Sequence, residues 1–291
     1  MPRASQAKSS NSPERRRRAA GRTVLLDRAL EALPLFRLSD SAEDTAIDYV
    51  GERGGRWRVL PAPGERLPGT FDQDVYVELC RRYAETRPAD GALTFTLHAF
   101  LRAMGRRVDG RTYEQLRAAL TRLQRTSLES HGAYLDANGA PVEATFTILS
   151  TVAIDRRRAT DRDQFALFDA LTNNEPGDAR VVLHPLIRGH LSSGHTIALS
   201  AAQWGRLTSP VARRLYRLLE TERAAGRREW RPSLERLAAV LPLTQRYPSH
   251  LQRVLQPAHE MLLTSGIAAV AGFEQSGRQW HAHYVLAPAT L

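Results

Sequence analysis

Residues 248–266 read PSHLQRVLQPAHEMLLTSG, and the spacing of their apolar residues decides the fold of the carboxy-terminal part of the chain. Pro248 suits the first turn of a helix, and Gly266 suits the position just after its end. Pro257 lies inside, removes one backbone hydrogen bond and is expected to kink the helix. The apolar residues recur at three- and four-residue intervals, which places them on one helical face: Leu251, Val254, Leu255, Ala258 and Leu262.

The segments around this helix complete a recognisable order. It is preceded by a predicted helix at 210–225, a short strand at 229–231 and a second helix at 233–240. Ser209 and Pro210 are the N-cap and the first residue of the first of these helices. Two alternating segments follow it, Ile267–Phe273 and Gln279–Leu286, on either side of a turn. Helix, strand, helix, helix and hairpin is the order of a winged helix, whose third helix enters the major groove of DNA.

The same order occurs earlier in the chain. Its third helix is predicted at 111–126, capped by Asp109 or Thr112, with Leu116, Ala119, Leu120 and Leu123 as its core stripe. A hairpin should follow, because Asn138-Gly139 is a strong turn signal. The predicted segments are 71–85, 93–96, 97–104, 111–126, 128–135 and 142–152. Two copies of one order argue against an accidental match.

These patterns predict an α+β fold with two tandem winged-helix domains and a disordered basic amino-terminal arm. The arm covers residues 1–22, which are rich in Ser, Ala and Arg and nearly devoid of large apolar residues. The first domain is expected at 23–155 and the second at 196–291, with connecting strands and a linker at 156–195. Within the first domain, short extended pieces at 45–50 and 56–60 are expected to form a further hairpin.

The charge balance favours a polyanionic partner. The 291 residues include 41 basic and 31 acidic ones, giving a net charge of +10 and a pI near 10.5. Lys8 is the only lysine, so a phosphate-binding loop ending in Gly-Lys-Ser/Thr is excluded. No apolar run approaches the roughly 20 residues that span a bilayer. The single cysteine, Cys80, lies at helical spacing from two tyrosines and is expected in the core.

Side chains that point away from the core stripes are the candidate DNA contacts, although each could equally be an ordinary solvated face. Arg122 or Arg125 could pair with guanine, and Arg111 could hold a phosphate. Gln252 and Gln256 could read adenine edges. The full candidate set on the two third helices is Arg111, Thr121, Arg122, Arg125, Ser249, Gln252, Arg253 (a guanine reader) and Gln256. Backbone contacts are expected from Arg213, Arg214, Arg217 and the wing-tip Arg278.

Two other kinds of protein fit parts of this pattern. A rolling-circle nickase would need a histidine pair around a metal ion and a tyrosine nucleophile, and WHAHYVL places His281 and His283 on one face of a strand. No third ligand is evident nearby, so simple packing in the wing is the favoured interpretation. A winged-helix transcription repressor would need the same groove-reading helix, and residue patterns do not separate it from an initiator.

Several segments resemble known plasmid initiators. LPLFRLSD (33–40), AIDYV (46–50), Trp57 and LPGTFDQDVYVEL (67–79) resemble the start of the replication initiator protein A family. SPVARRLYRLLE (209–220) and LQRVLQPAHEML (251–262) resemble two helices of the carboxy-terminal winged helix in iteron-binding Rep proteins.

This resemblance implies a non-enzymatic protein that binds double-stranded DNA repeats at a plasmid origin. It further implies that a host initiator ATPase and the replicative helicase are partners, that the protein often binds as a monomer, and that a possible homodimer tends to be the inactive form. The basic amino terminus without an apolar signal stretch, together with the lack of a membrane span, predicts a cytoplasmic protein. It implies no cofactor, no catalytic residue, no metal and no membrane partner.

Overall fold

The computed structural model describes residues 23–38, 46–155, 179–245 and 247–288. The predicted arm at 1–22 lies outside these residues. None of the helices within them is both long and apolar enough to cross a membrane.

Helices and antiparallel strands alternate through these ranges, as the predicted α+β class requires. The helices are α1 (Arg28–Glu31), α2 (Thr70–Thr86), α3 (Leu97–Ala103), α4 (Gly110–Arg125), α5 (Pro185–Ser193), α6 (Ala201–Arg206), α7 (Pro210–Ala224), α8 (Leu234–Val240) and α9 (Pro248–Thr264). The strands are β1 (Thr23–Asp27), β2 (Ile47–Val50), β3 (Arg56–Leu60), β4 (Ala92–Phe95), β5 (Ser127–Leu135), β6 (Pro141–Phe146), β7 (Leu149–Ile154), β8 (Ala179–Leu183), β9 (Thr196–Ser200), β10 (Glu229–Trp230), β11 (Ala268–Ser276) and β12 (Gln279–Leu286).

Two three-stranded sheets have the same topology in the two parts of the chain. In the first, β4 pairs with β8 and β8 pairs with β7. In the second, β10 pairs with β12 and β12 pairs with β11. In both, the strand between the first two helices lies against the second of two antiparallel strands that come later in the chain. The two parts of the chain therefore share one sheet topology, although the first part carries four strands after its third helix.

One predicted hairpin belongs to a different sheet. The segment 142–152 was expected to be a single strand, but it divides into β6 and β7. The hairpin β5–β6 turns at Gly139, whose φ of 83° suits a residue without a side chain, and it extends the predicted β2–β3 hairpin into a four-stranded sheet. The strand beside β4 is instead β8, which lies in the segment where connecting strands were expected, and β7 pairs with the other edge of β8.

A short two-stranded sheet joins the beginning of the described chain to its second part. Strand β1 pairs antiparallel with β9, with Leu25 opposite Ala198. Each strand ends in a helix N-cap: the Asp27 carboxylate accepts from the backbone of α1, and the Ser200 hydroxyl accepts from the backbone of α6. Neither strand was predicted, and their pairing places α2 and α7 near each other.

The core is continuous and contains the predicted apolar stripes. Leu116, Leu120 and Leu123 of α4 are fully buried. Cys80 is also fully buried, and burial raises the pKa of its thiol, so the predicted core role is confirmed. Helix α9 runs unbroken through Pro257 and buries the predicted stripe, except that Val254 is half-buried.

Candidate nucleic-acid interface

Helix α4 begins at a capping box and has one face open to solvent. The Asp109 carboxylate accepts from the backbone N–H of Thr112 at 2.9 Å, and the Thr112 hydroxyl accepts from the backbone N–H of Asp109 at 3.1 Å. The leucine stripe packs inward against α2 and β7. Four predicted DNA contacts lie on the remaining surface: Arg111, Thr121, Arg122 and Arg125.

Two of these arginines already have carboxylate partners. Arg122 donates to Asp72 Oδ1 from Nε at 3.1 Å and from Nη2 at 2.9 Å. Burial raises the pKa of the Asp72 carboxyl, while the Arg122 charge acts in the opposite direction. Arg125 forms an ion pair with Glu65 from the loop that precedes α2. Arg122 is therefore a structural side chain in this conformation, and Arg125 is engaged but more exposed.

The same loop forms the wall of a cleft beside α4. The cleft has a volume of about 670 Å³ and is lined by Thr121 and by Arg66 from the loop. Arg66 is exposed and has no side-chain hydrogen bond or ion pair within the described ranges. Sequence reasoning missed Arg66 because its segment, PAPGERLPG, contains turn signals and no periodicity. Arg111, in the first turn of α4, is likewise exposed and unpaired among the described residues.

Helix α9 presents the second candidate face. Ser249, Arg253 and Gln256 are exposed, and Gln252 is half-buried. Arg253 has no side-chain partner among the described residues, and Gln256 Nε2 donates to Glu260 Oε1 at 3.2 Å. The face therefore offers one guanidinium and two carboxamides, the groups that pair with guanine and adenine edges in the major groove.

An aromatic side chain extends this face beyond the predicted set. Tyr247, the N-cap of α9, is 70% exposed, and its ring contacts that of His250 with centroids 5.8 Å apart. A large exposed aromatic at the start of a helix is an apolar contact for a base or sugar. The Tyr-Pro pair marks a helix start but carries no information on the exposure of Tyr247.

A buried contact fixes α9 on its hairpin. His259 Nε2 and the Tyr284 hydroxyl lie 2.8 Å apart, joining α9 to β12. Burial lowers the pKa of His259 to about 4, so the imidazole is neutral at physiological pH. The position of the outward face is thus fixed relative to the hairpin β11–β12.

The tip and base of this hairpin differ in charge. Arg278 is exposed in the tight turn after Gly277 and is unpaired among the described residues. At the base, His283 lies between Glu229 and Glu274, with nitrogen-to-oxygen distances of 2.7 and 2.6 Å. His281 lies opposite Glu274 in the strand register. Within the part of the chain that the structure describes, no group of three or more His, Cys, Asp or Glu side chains is placed to hold a metal ion.

The predicted backbone contacts on α7 are placed differently. Arg214 and Arg217 are 2% and 1% exposed, so the expectation that they face DNA is wrong in this structure. Arg217 lies 3.0 Å from the Glu31 carboxylate, and Arg214 donates to the Leu33 carbonyl at 2.7 Å. Burial, followed by the charge of Arg217, lowers the pKa of Arg214 to about 9. Their charge favoured an exposed position, but the surface formed by α1 and α2 covers both arginines.

Arg213 is also engaged. Its Nε donates to the Leu207 carbonyl at 2.7 Å, its guanidinium lies over the Trp204 ring, and it forms an ion pair with Asp74 of α2. The side chain is 19% exposed. All three α7 arginines therefore bind the two parts of the chain together.

The repeated sheets and the arginine-bearing outward faces of α4 and α9 define a two-part α+β protein. Residues 26–241 match the family described as replication initiator protein A. The chain belongs to this family, as its sequence indicated, and its role is that of a replication initiator. No match was found among curated proteins.

Two solved structures have a similar fold. The selenomethionine crystal structure of domain 2 and domain 3 of RctB has a TM-score of 0.57 at 12% identity, covering 87% of this chain and 94% of that chain. A second structure of RctB domains 2–3 has a TM-score of 0.50 at 12% identity, covering 90% and 97%. At this identity the likeness shows a shared fold alone.

Proposed function

We propose that the chain binds repeated sites in double-stranded origin DNA through two winged helices, with α4 and α9 as the groove-entering helices. By doing so it initiates plasmid replication, helping a host initiator ATPase and the replicative helicase to open the origin inside the cell. It performs no strand cutting itself.

The observation that carries this proposal is the outward face of α9. Arg253 is exposed and has no intramolecular partner in the described ranges, so DNA binding need not break an ion pair first. Gln252 and Gln256 lie one helical turn apart on the same face and supply donors and acceptors for adenine. The helix is fixed on its hairpin by His259 and Tyr284, which keeps these side chains in a defined register.

The first part of the chain and the hairpin tip support the same proposal. Arg66, Arg111 and Arg278 are exposed and unpaired among the described residues, so each can bind a phosphate without breaking an ion pair. The matching topology of the two three-stranded sheets supports the proposal of two winged helices, because a winged helix packs a small antiparallel sheet beside its helices.

The test uses overlapping 40-base-pair duplexes that tile the replicon carrying the gene. We expect the protein to bind a small set of adjacent fragments far more tightly than the rest. We also expect the affinity to fall by about three to five decades between 50 and 200 mM salt, as for 6–10 phosphate contacts.

A matched pair of variants distinguishes the loss of an interface residue from the loss of one positive charge elsewhere on the surface. Arg253→Ala should weaken binding to the preferred fragments, and Arg206→Ala should not, although Arg206 is also an exposed arginine without a partner among the described residues. Equal binding of all fragments by the parent, or a flat response to salt, would refute the proposed function.

A further inference from the structure

We propose that Glu65 acts as a carboxylate mask on Arg125, holding down the affinity of the α4 face for DNA of any sequence. The inference rests on the proposed function and concerns the balance between specific and nonspecific binding. It assigns a role to the loop 61–69, which carries no groove-reading helix.

The loop is built to present Glu65 to α4. The backbone N–H of Glu65 donates to the Ala62 carbonyl at 2.9 Å, closing a turn with Pro63 and Gly64 at its centre. The φ of Gly64 is 75°, which together with the preceding proline is the signature of a type II turn. The far end is fixed where the Gly69 N–H donates to Asp72 Oδ2 at 2.8 Å. Because the loop is ordered by these contacts, Glu65 meets Arg125 at little entropic cost.

The two carboxylate–arginine pairs on this face differ in a way that suggests different roles. Asp72 and Arg122 are 4% and 23% exposed, and Asp72 also caps the start of α2, so this pair belongs to the scaffold. Glu65 and Arg125 are 23% and 52% exposed. Exposed ion pairs contribute little to folding stability, which leaves Arg125 able to exchange Glu65 for a phosphate.

The surroundings show what the mask controls. Arg66, the next residue along, is unpaired among the described residues and lines the cleft with Thr121. Without the Glu65 charge, two neighbouring segments would each present an unpaired arginine to a phosphate backbone. Nonspecific affinity comes almost wholly from such contacts, so each masked arginine improves the ratio of specific to nonspecific binding.

The test measures binding of a 30-base-pair duplex of unrelated sequence by fluorescence anisotropy between 50 and 200 mM salt. Glu65→Gln should bind more tightly at 50 mM than the parent. Its plot of log affinity against log salt should steepen by about 0.9, which is roughly a further threefold loss of affinity across this range. Glu143→Gln removes an exposed carboxylate from the hairpin β5–β6 and should leave the slope unchanged.

A double-mutant cycle identifies the arginine. Arg125→Ala should change little in the parent, where the side chain is masked, and should abolish the gain in the Glu65→Gln background. The thermal unfolding midpoint of Glu65→Gln should match that of the parent. If the parent binds DNA and Glu65→Gln has the same salt slope, the mask is overturned. A loss of both stability and affinity in Glu65→Gln would overturn it as well. A parent that binds neither this duplex nor any origin fragment would instead refute the proposed function.

Discussion

The guanidinium of Arg217 donates to the side-chain carbonyl of Gln73 across 2.6 Å, and both side chains are almost completely enclosed. Arg217 lies on α7 and Gln73 on α2, so the contact joins the two repeated parts of the chain. The Glu31 carboxylate neutralises the same arginine. A buried cation held by two partners couples the stability of the parts.

Arg217→Ala should therefore destabilise the protein strongly. The substitution leaves the Gln73 carbonyl without its donor and leaves Glu31 with Arg214 alone, at 3.5 Å. Breaking a buried ion pair in this way costs about 3–5 kcal/mol. Urea unfolding measures this change in the free energy of unfolding. The exposed Arg206→Ala variant should stay within about 0.5 kcal/mol of the parent. Equal free energies of unfolding for the two variants would show that the Arg217 cluster is not part of the scaffold.

His259 should make stability depend on acid. Burial lowers its pKa to about 4 in the folded state, below the usual 6.5 of an unfolded chain. The unfolded state binds the proton first, so stability is complete above pH 6.5 and falls as the pH drops toward 4, by about 3 kcal/mol at 1.36 kcal/mol per pKa unit.

The measurement for His259 is the free energy of unfolding of the parent and of His259→Gln between pH 7.5 and about 4. The variant should be less stable at neutral pH, because the Tyr284 contact is disturbed, and should lose less stability on acidification. Parallel curves for the two proteins would contradict the assignment of His259 as a buried neutral imidazole.

Arg278 should contribute affinity without sequence information. Because it lies at a hairpin tip and is unpaired among the described residues, Arg278→Ala should weaken every duplex alike and reduce the salt slope by about 0.9. Titrations of preferred and unrelated fragments at several salt concentrations measure both effects. A change confined to the preferred fragment would make Arg278 a base reader instead.

The histidines of the second hairpin should not support strand cutting. His283 is held between Glu229 and Glu274, whose carboxylates contact both of its ring nitrogens. With magnesium or manganese, the protein should leave supercoiled origin DNA intact and form no covalent adduct. Metal-dependent nicking that disappears in a His281→Ala, His283→Ala double variant would replace the initiator account with that of a nickase.

The elements that the sequence predicted best are those with strong local signals. Helix α4 combines a capping residue, Asp109, with a leucine stripe, and its predicted bounds differ from the observed ones by one residue at each end. Helix α9 was located in the same way from Pro248 and its apolar spacing. Such signals act within one element and need no knowledge of its neighbours.

Pairings between distant segments were not predictable. Strand β1 joins β9 across most of the chain, and the hairpin beside β4 uses β8 in place of β6. Alternation shows that a segment is a strand, but partner choice depends on tertiary packing. The same limit explains α7: Arg214 and Arg217 are polar on the helical wheel, yet a second surface buries them.

The measurement that tests the central claim most directly is the discrimination of Arg253→Ala between a preferred origin fragment and versions carrying single base-pair substitutions. If Arg253 reads a base, the variant should lose about 5- to 150-fold of discrimination at one position, equivalent to about 1–3 kcal/mol, and keep it elsewhere. Arg206→Ala should discriminate at every position as the parent does. An Arg253→Ala protein that retains full discrimination at all positions would contradict the account of α9 as a sequence-reading helix.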